Sequence, residues 1–204
     1  MRNYQKELDS LIEKIKKEGS LPTLLLHVCC APCSSYCLEY LSKYFKITVL
    51  FYNPNIFPES EYEHRAAEVR RLISQMQFEN EVEFMALDFN SQEFHLAVKG
   101  LEKEKEGGER CFVCYGLRLK KTAELAKEKG FDYFTTSLSI SPLKNAEKIN
   151  EIGEKIAEET GVSHLPSDFK KKNGYKRSIE LSKEYQLYRQ NYCGCVYSVR
   201  DKKE

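Results

Sequence analysis

Seven of the eight cysteines in this chain fall into three short groups, and thiol groups spaced in this way could bind metal. The groups are a CCxxC, a CxxC and a CxC motif, at Cys29, Cys30 and Cys33, at Cys111 and Cys114, and at Cys193 and Cys195. Short spacings let neighbouring thiolates reach one ion or cluster without long loops to order, and thiolates favour zinc and iron–sulfur clusters. We therefore predict that the three groups converge on one metal-bearing active site.

Each cysteine motif also has a simpler interpretation. A CCxxC after a strand could be a redox-active thiol motif, although a thioredoxin-like site needs no further cysteine groups. A structural zinc site would use four cysteines and leave at least three thiols unexplained. The pair Cys193 and Cys195 could ligate metal or form a strained, easily reduced disulfide. Cys37, one helical turn beyond Cys33, is expected to be a small buried hydrophobic residue.

Asp88 and the four histidines are the other candidates for ligands or proton carriers. Asp88 follows a predicted strand, where its carboxylate could be a hard metal ligand, a proton donor or the cap of the next helix. His27 lies within a strand pattern and is expected to be a hydrogen-bonded core residue. His64, His95 and His164 are expected to be solvated.

Length and composition exclude several classes of protein. The 204 residues suit one domain with a substantial core, and the net charge of +1 gives no general indication of a polyanionic partner. No apolar stretch is long enough to span a membrane, and the N-terminal residues indicate an amphipathic helix rather than a signal peptide. We therefore predict a cytoplasmic protein, in which grouped cysteines more often bind metal or do redox chemistry than form disulfides.

Strands and helices are predicted to alternate along the chain. Apolar runs predict strands at residues 24–28, 47–52, 82–87 and 133–137. Amphipathic stretches predict helices at about 1–20, 34–45, 59–77, 91–105, 111–129 and 145–160. This alternation predicts an α/β fold, with a Rossmann-like parallel sheet that carries helices on both faces. We expect residues 1–204 to form a single catalytic domain that ends in a basic, aromatic tail at about 167–204.

A parallel sheet binds its ligands outside the carboxyl ends of its strands. The CCxxC motif follows the first predicted strand, Asp88 follows the third, and residues 137–141 follow the fourth. The CxxC motif begins a helix that should start at the same edge, and a helix N-terminus favours thiolate over thiol. The CxC motif can reach this edge only if the tail folds back over it.

The tail combines positive charge with aromatic rings. Its basic and aromatic residues are Lys170, Lys171, Lys172, Tyr175, Lys176, Arg177, Tyr185, Tyr188, Arg189, Tyr192, Tyr197 and Arg200. Such a mixture suits phosphate contact and base stacking in a single-stranded RNA loop. An ordinary solvated basic surface explains the same pattern equally well.

Five segments together resemble the cobalamin-independent epoxyqueuosine reductase family, QueH. In chain order they are LLLHVCCAPCSSYCLEYL, YNPNIFP with EYEHRAAEVRRL, ERCFVCYGLRLKKTAELAKEKG, FTTSLSISPLKN and RQNYCGCVYS. The resemblance extends from about His27 to Ser198, and the combination of CCxPC, RCxxCYxLRL and YCGCxYS is specific where no single motif is. It implies a fold similar to that of the adenine-nucleotide hydrolase (HUP) and PP-loop superfamily. The phosphate-binding SGGxDS loop of those ATP users is replaced here by CCAPCSS, which argues against a role for ATP.

The resemblance also implies a reaction and its cofactors. Members reduce the epoxide of epoxyqueuosine at the wobble position of tRNA to the alkene of queuosine, with an iron–sulfur cluster, expected to be 4Fe–4S, and an additional iron ion. The electron donor is not indicated. The resemblance implies that Cys29, Cys30, Cys111 and Cys114 hold the cluster, that Cys33 is a further ligand, and that Asp88, Cys193 and Cys195 are metal-binding or catalytic. The competing hypotheses are a structural zinc protein that binds RNA and a metal-free thiol–disulfide oxidoreductase.

Overall fold

The structure is a computed structural model that describes residues 2–198. Its strands are β1 (Thr23–Val28), β2 (Lys46–Phe51), β3 (Val82–Ala86), β4 (Tyr133–Thr136) and β5 (Ser163–His164). Its α-helices are α1 (Tyr4–Glu18), α2 (Ala31–Leu41), α3 (Glu59–Gln75), α4 (Ser91–Ala97), α5 (Glu109–Lys129), α6 (Ala146–Thr160) and α7 (Gly174–Glu184). Within these residues no helix has the length and apolar character needed to cross a lipid bilayer.

The strands form one parallel sheet in the order β3-β2-β1-β4-β5 among the described residues. The chain runs outward from β1 to β3, and then returns to the other side of β1 for β4 and β5. The strand order therefore reverses between β1 and β4, and the crevice at such a switch point is where parallel sheets bind ligands. The predicted α/β fold class is confirmed.

Helices cover both faces of the sheet because alternate side chains of each strand point to opposite sides. In β1, Leu24 and Leu26 pack with the core that includes α1, α2 and α3. Leu25, between them, packs with the core formed by α5 and α6. Side chains of this apolar run therefore pack into both cores, and β1 lies between them at the centre of the molecule.

Helix α4 is shorter than the sequence pattern predicted. It ends at Ala97 instead of near residue 105, and Gly100 adopts a φ of +86°, which a continuing α-helix does not allow. The following turns present the carbonyl groups of Glu102 and Glu104 to the buried guanidinium of Arg110. The prediction of a helix over 91–105 was therefore wrong beyond its first two turns.

Two elements were not predicted: the short edge strand β5 and the helix α7. Helix α7 packs against α2, and a Cβ on Gly174 would lie 2.4 Å from the ring of Tyr36, so only glycine allows this approach. The guanidinium of Arg177 forms an ion pair of 2.6 Å with Glu39 across the same interface. This part of the tail is therefore packed onto the fold.

His164 of β5 does not have the solvated environment expected for it. Neither ring nitrogen has a hydrogen-bond partner among the described residues, the ring lies 5.2 Å from that of Phe134, and burial lowers the pKa of the imidazole to about 3. The ring occupies the space beside Gly153 of α6, where an added Cβ would come within 2.4 Å of it. Gly153 therefore lets α6 and β5 approach each other.

We expect Gly153→Ala to lower the free energy of unfolding by about 1–3 kcal/mol, because the added Cβ would overlap the imidazole of His164 and force it out of its position against α6. Gly116→Ala is the matched control. Gly116 also lies within a long helix, but the nearest atom to its added Cβ is 3.9 Å away, so about 0.5–1 kcal/mol of stabilisation is expected. Thermal unfolding of the two variants checks this. Equal shifts of the unfolding temperature in the two variants would contradict the close approach of α6 to His164.

Candidate metal centre

Three thiol groups lie together where β1 ends and α2 begins. The sulfur atoms of Cys29, Cys30 and Cys33 are all within 4.8 Å of one another, and those of Cys29 and Cys30 are 3.9 Å apart. Cys30 is the N-cap of α2 and Cys33 is three residues further on, so both side chains lie on one side of its first turn. Pro32 fits this turn because the first N–H groups of a helix have no internal partner.

The three thiols favour a single negative charge among them. Hydrogen bonds from Cys30 and Cys33 hold the pKa of Cys29 well below its ordinary value. The same charge raises the pKa of Cys30 to about 12 and that of Cys33 well above its usual range. The positive end of the α2 dipole also favours a thiolate here. Further deprotonation requires a cation to offset the mutual repulsion, which is what a bound metal supplies.

A cavity of about 260 Å³ opens beside this group, at the switch point between β1 and β4. The chain after β1 contributes Cys29 together with Pro32 and Cys33 of the first turn of α2, and the chain after β4 contributes residues 138–144 apart from Ser139. The opposite wall comes from the tail: Tyr175, Ser178, Arg189, Gln190, Asn191, Tyr192 and Cys193. Glu106 also lines the cavity, so the thiol groups face a space with apolar, aromatic and polar walls that carry charges of both signs.

Cys193 reaches the cavity because the tail folds back across the sheet edge. The N–H of Phe57 donates to the carbonyl of Gly194 at 2.9 Å, and Cys195 forms an isolated antiparallel bridge with Ile56. Arg65 of α3 donates to the carbonyl of Cys193 at 3.2 Å. Gly194 has a φ of +99°, and a Cβ there would approach both Ile56 and Arg65, so the CxC turn depends on glycine.

The remaining cysteines lie outside the group of three closely spaced thiols. Cys111 packs against the same apolar core as Cys29 and Cys30, and its sulfur accepts a hydrogen bond of 3.2 Å from the N–H of Gly107. Cys114 and Cys195 share a smaller apolar cluster under α4. The predicted assignment of these three to a cluster or a second metal stays a prediction.

Cys37 is fully buried and donates a hydrogen bond to the carbonyl of Cys33 at 3.4 Å, which fits the small hydrophobic residue expected there. His27 is also buried. Its ring contacts the hydroxyl of Thr136 at 2.8 Å and the carbonyl of Tyr52 at 3.0 Å, so the expected core histidine is confirmed. Burial, together with the nearby Arg118 charge, lowers the pKa of His27 to about 4.

Asp88 lies just beyond β3, which is an edge strand two positions from β1. Its side chain is exposed, and it does not line the cavity beside the three thiols. The cap of α4 is instead Asn90, whose side chain accepts a hydrogen bond from the N–H of Gln92 at 3.1 Å. A metal-binding or catalytic role for Asp88 remains a prediction.

Three cations close to the thiols were not predicted from the sequence: Arg65, Arg118 and Lys144. Nζ of Lys144 lies 3.3 Å from the sulfur of Cys193. Burial disfavours its charged form, but the neighbouring Cys193 sulfur holds the pKa of Lys144 above its ordinary value. The sequence does not distinguish these two arginines from the other basic residues of α3 and α5.

The donor set fits a thiolate-ligated metal centre. The closely spaced ligands are all sulfur, which favours zinc or iron–sulfur clusters over hard cations. One Nη atom of Arg65 and one of Arg118 are buried without a hydrogen-bond partner among the described residues. Such donors are suited to an anionic group that several thiolates would form with metal.

Comparison with known proteins identifies the family. Residues 24–201 match the sequence model of the family described as Epoxyqueuosine reductase QueH. The chain belongs to the QueH family. The QueH of Streptococcus pyogenes serotype M1 is 47% identical over 200 residues, 97% of this chain and 78% of that protein. The QueH of Thermotoga maritima is 38% identical over 188 residues, 89% of this chain and 93% of that protein.

A solved structure supports the fold alone. It is described as a predicted subunit of tRNA methyltransferase from Methanocaldococcus jannaschii, and it matches with a TM-score of 0.50 at 14% identity. The match covers 79% of this chain and 74% of that one.

We expect Cys30→Ala to lose most of the metal bound by anaerobically purified protein, because it removes one of three adjacent sulfur ligands. Cys37→Ala is the matched control, since Cys37 is equally buried and lies on the same helix but outside the group. Metal analysis of both variants measures the effect. Full metal content in Cys30→Ala, with loss in Cys37→Ala, would contradict the assignment of the site.

Proposed function

We propose that this chain is an epoxyqueuosine reductase that acts on tRNA carrying epoxyqueuosine at the wobble position. The observation that carries the proposal is the group of three thiols beside a cavity at the switch point of the sheet. Membership in the QueH family supports the reaction, because the curated relatives bear this activity as their name. The family is one of oxidoreductases.

The cofactor we propose is an iron–sulfur cluster of the 4Fe–4S type together with a second iron ion. Cys29, Cys30 and Cys33 form the part of the ligand set whose spacing supports this directly. Cys111 and Cys114 are proposed as further cluster ligands, carried by the first turns of α5. Cys193, Cys195 and Asp88 are proposed to complete the second site or to take part in proton transfer.

The reaction consumes two electrons and two protons: both C–O bonds of the epoxide break, an alkene forms, and the oxygen leaves as water. The bound metal supplies electron transfer and Lewis-acid activation. The protein has to hold the epoxide beside the thiols, exclude bulk water and supply protons to the oxygen. Lys144 lines the cavity and carries a positive charge that would stabilise negative charge developing on that oxygen.

The tail supports the proposal that the cavity admits a nucleotide. Tyr175 and Tyr192 line it with aromatic rings, and Arg189 lies beside them with its guanidinium donating to Ser182 at 3.0 Å. A base that leaves its stack to reach the thiols would regain part of the lost energy by stacking on an aromatic ring. The electron donor is unidentified, and a cytoplasmic location remains a prediction.

We expect protein purified without oxygen to contain iron and acid-labile sulfide and, with a chemical one-electron reductant, to convert epoxyqueuosine in tRNA to queuosine. Mass spectrometry of digested tRNA would detect loss of one oxygen atom. Stoichiometric zinc without sulfide, in protein made under iron-replete anaerobic conditions, would favour a structural zinc protein. Full turnover by metal-free protein would favour a thiol–disulfide oxidoreductase.

The RNA-binding prediction needs basic residues that the fold does not already use. Lys172 forms an ion pair with Asp9 at 2.6 Å, and Arg177 pairs with Glu39, so reversing either charge would also disturb packing. Arg200 lies outside the described residues. Lys171, Lys176 and Arg189 are exposed and form no ion pair within residues 2–198, so they are the better probes, although Arg189 also donates to the hydroxyl of Ser182 at 3.0 Å.

We expect the triple variant Lys171→Glu, Lys176→Glu, Arg189→Glu to bind tRNA more weakly and with a smaller salt dependence. The logarithm of the tRNA-binding constant falls linearly with the logarithm of the salt concentration. Each lost phosphate interaction should make this slope shallower by roughly 0.7, the value for single strands. The control reverses three exposed lysines on the opposite face of the sheet, namely Lys120, Lys127 and Lys155. Equal slopes in both variants would show that the tail does not bind RNA.

A further inference from the structure

Three arginines within residues 2–198 are almost fully buried, each with 1% of its surface exposed: Arg65, Arg110 and Arg118. Arg65 has a carboxylate partner, Glu61, at 2.7 Å. Arg118 forms no ion pair with any Asp or Glu of the described chain, although its guanidinium cannot lose its proton in a protein. A buried charge without a partner is strongly destabilising, so a counter-charge has to be nearby.

The neutral contacts of Arg118 leave part of its guanidinium free. Its Nε donates to the carbonyl of Cys114 at 3.2 Å, one helical turn earlier in α5. Its Nη1 donates to Oδ1 of Asn53 at 3.4 Å, and Asn53 is itself fixed by donating to the carbonyl of Val28 at 2.8 Å. Its Nη2 is buried and has no hydrogen-bond partner in the described part of the chain. These contacts fix the direction of the guanidinium without balancing its charge.

The groups that can balance the charge are thiolates. Burial raises the pKa of Cys114 to about 11, so this thiol becomes negative only when a bound metal displaces its proton. Burial alone would lower the pKa of Arg118, but the sulfurs of Cys114, Cys29 and Cys193 raise it above its ordinary value. These cysteines come from all three sequence motifs, so Arg118 is a cation that all three motifs share. The phenol of Tyr115, the other group that acts on it, stays neutral because burial raises its pKa to about 12.

We propose that Arg118 is a positioning residue that sets the reduction potential of the thiolate-ligated cluster, with its fixed positive charge favouring the reduced state. The inference rests on the proposed function, because it requires the iron–sulfur cluster. Reduction adds one electron from an external one-electron reductant and makes the cluster more negative. No bond to Arg118 forms or breaks, and Arg118 neither gains nor loses a proton.

The sign and size of the effect follow from electrostatics. Net charge and hydrogen bonds to sulfur are among the factors that set such potentials. A unit charge within about 10 Å, at an effective dielectric constant of about 20, changes a one-electron equilibrium by roughly tenfold. A tenfold change corresponds to about 59 mV for one electron. Removing the charge should therefore make the potential more negative by roughly this amount.

The experiment compares reduction potentials of anaerobically purified, iron-loaded protein by spectroelectrochemical titration. The reduction potential of Arg118→Met should be more negative than that of wild type. The potential of Arg118→Lys, which keeps the charge, should remain close to that of wild type. Lys127→Met is the control, because it removes the same net charge at an exposed position of the same helix, where Lys127 forms no ion pair within residues 2–198. If Arg118→Met does not fold, Asn53→Asp places a carboxylate beside Nη1 of Arg118 and should shift the potential in the same direction.

Two results would overturn the inference while leaving the proposed function intact. One is an unchanged potential in Arg118→Met, or in Asn53→Asp as its replacement, at full iron and sulfide content. The other is an equal shift in Arg118→Met and Arg118→Lys, which would indicate a packing role only. Wild-type protein that contains no iron and sulfide would overturn the proposed function and this inference together.

Discussion

Three thiol groups lie side by side at the start of α2, and their negative charge has to be stabilised out of contact with bulk water. The surrounding structure provides this stabilisation. The N-terminus of α2 presents its free N–H groups, Arg118 and Lys144 bring fixed positive charge, and Arg65 approaches from α3. Thiolates so placed repel one another without a cation, so the site is stable in its deprotonated form only when it binds metal.

The position of β1 makes this arrangement possible. As the central strand it is covered on both faces, so the chain leaving its carboxyl end enters a protected crevice rather than the surface. The reversal of strand order beside it separates the flanking loops, and the cavity forms between them. The cysteines therefore occupy a binding position that a parallel sheet provides regardless of the chemistry it serves.

Much of the fold could be predicted from sequence, because Leu24 to Val28 is a continuous apolar run and Gly130 and Gly161 mark helix ends. Helix α7 could not, because its buried face uses Ser178 and Ser182, small polar residues that resemble a surface pattern. For the site, the cysteine spacings identified the thiols that meet, but not the charges that balance them. In the sequence Arg118 is one of several basic residues on α5, and only the packing of that helix shows that it is buried.

The tail has two roles that different segments of the chain could have filled. One segment brings Cys193 to the cavity and supplies the aromatic wall through Tyr192. It is held by α3, where Glu68 accepts the N–H of Tyr188 at 2.8 Å and Arg65 donates to the Cys193 carbonyl. A nucleotide that binds between this wall and the loop after β4 must therefore contact the same segment that carries a candidate ligand. Under the proposed function, displacement of the tail by substrate would move Cys193, and substrate binding would then be coupled to the metal site through a few residues of backbone.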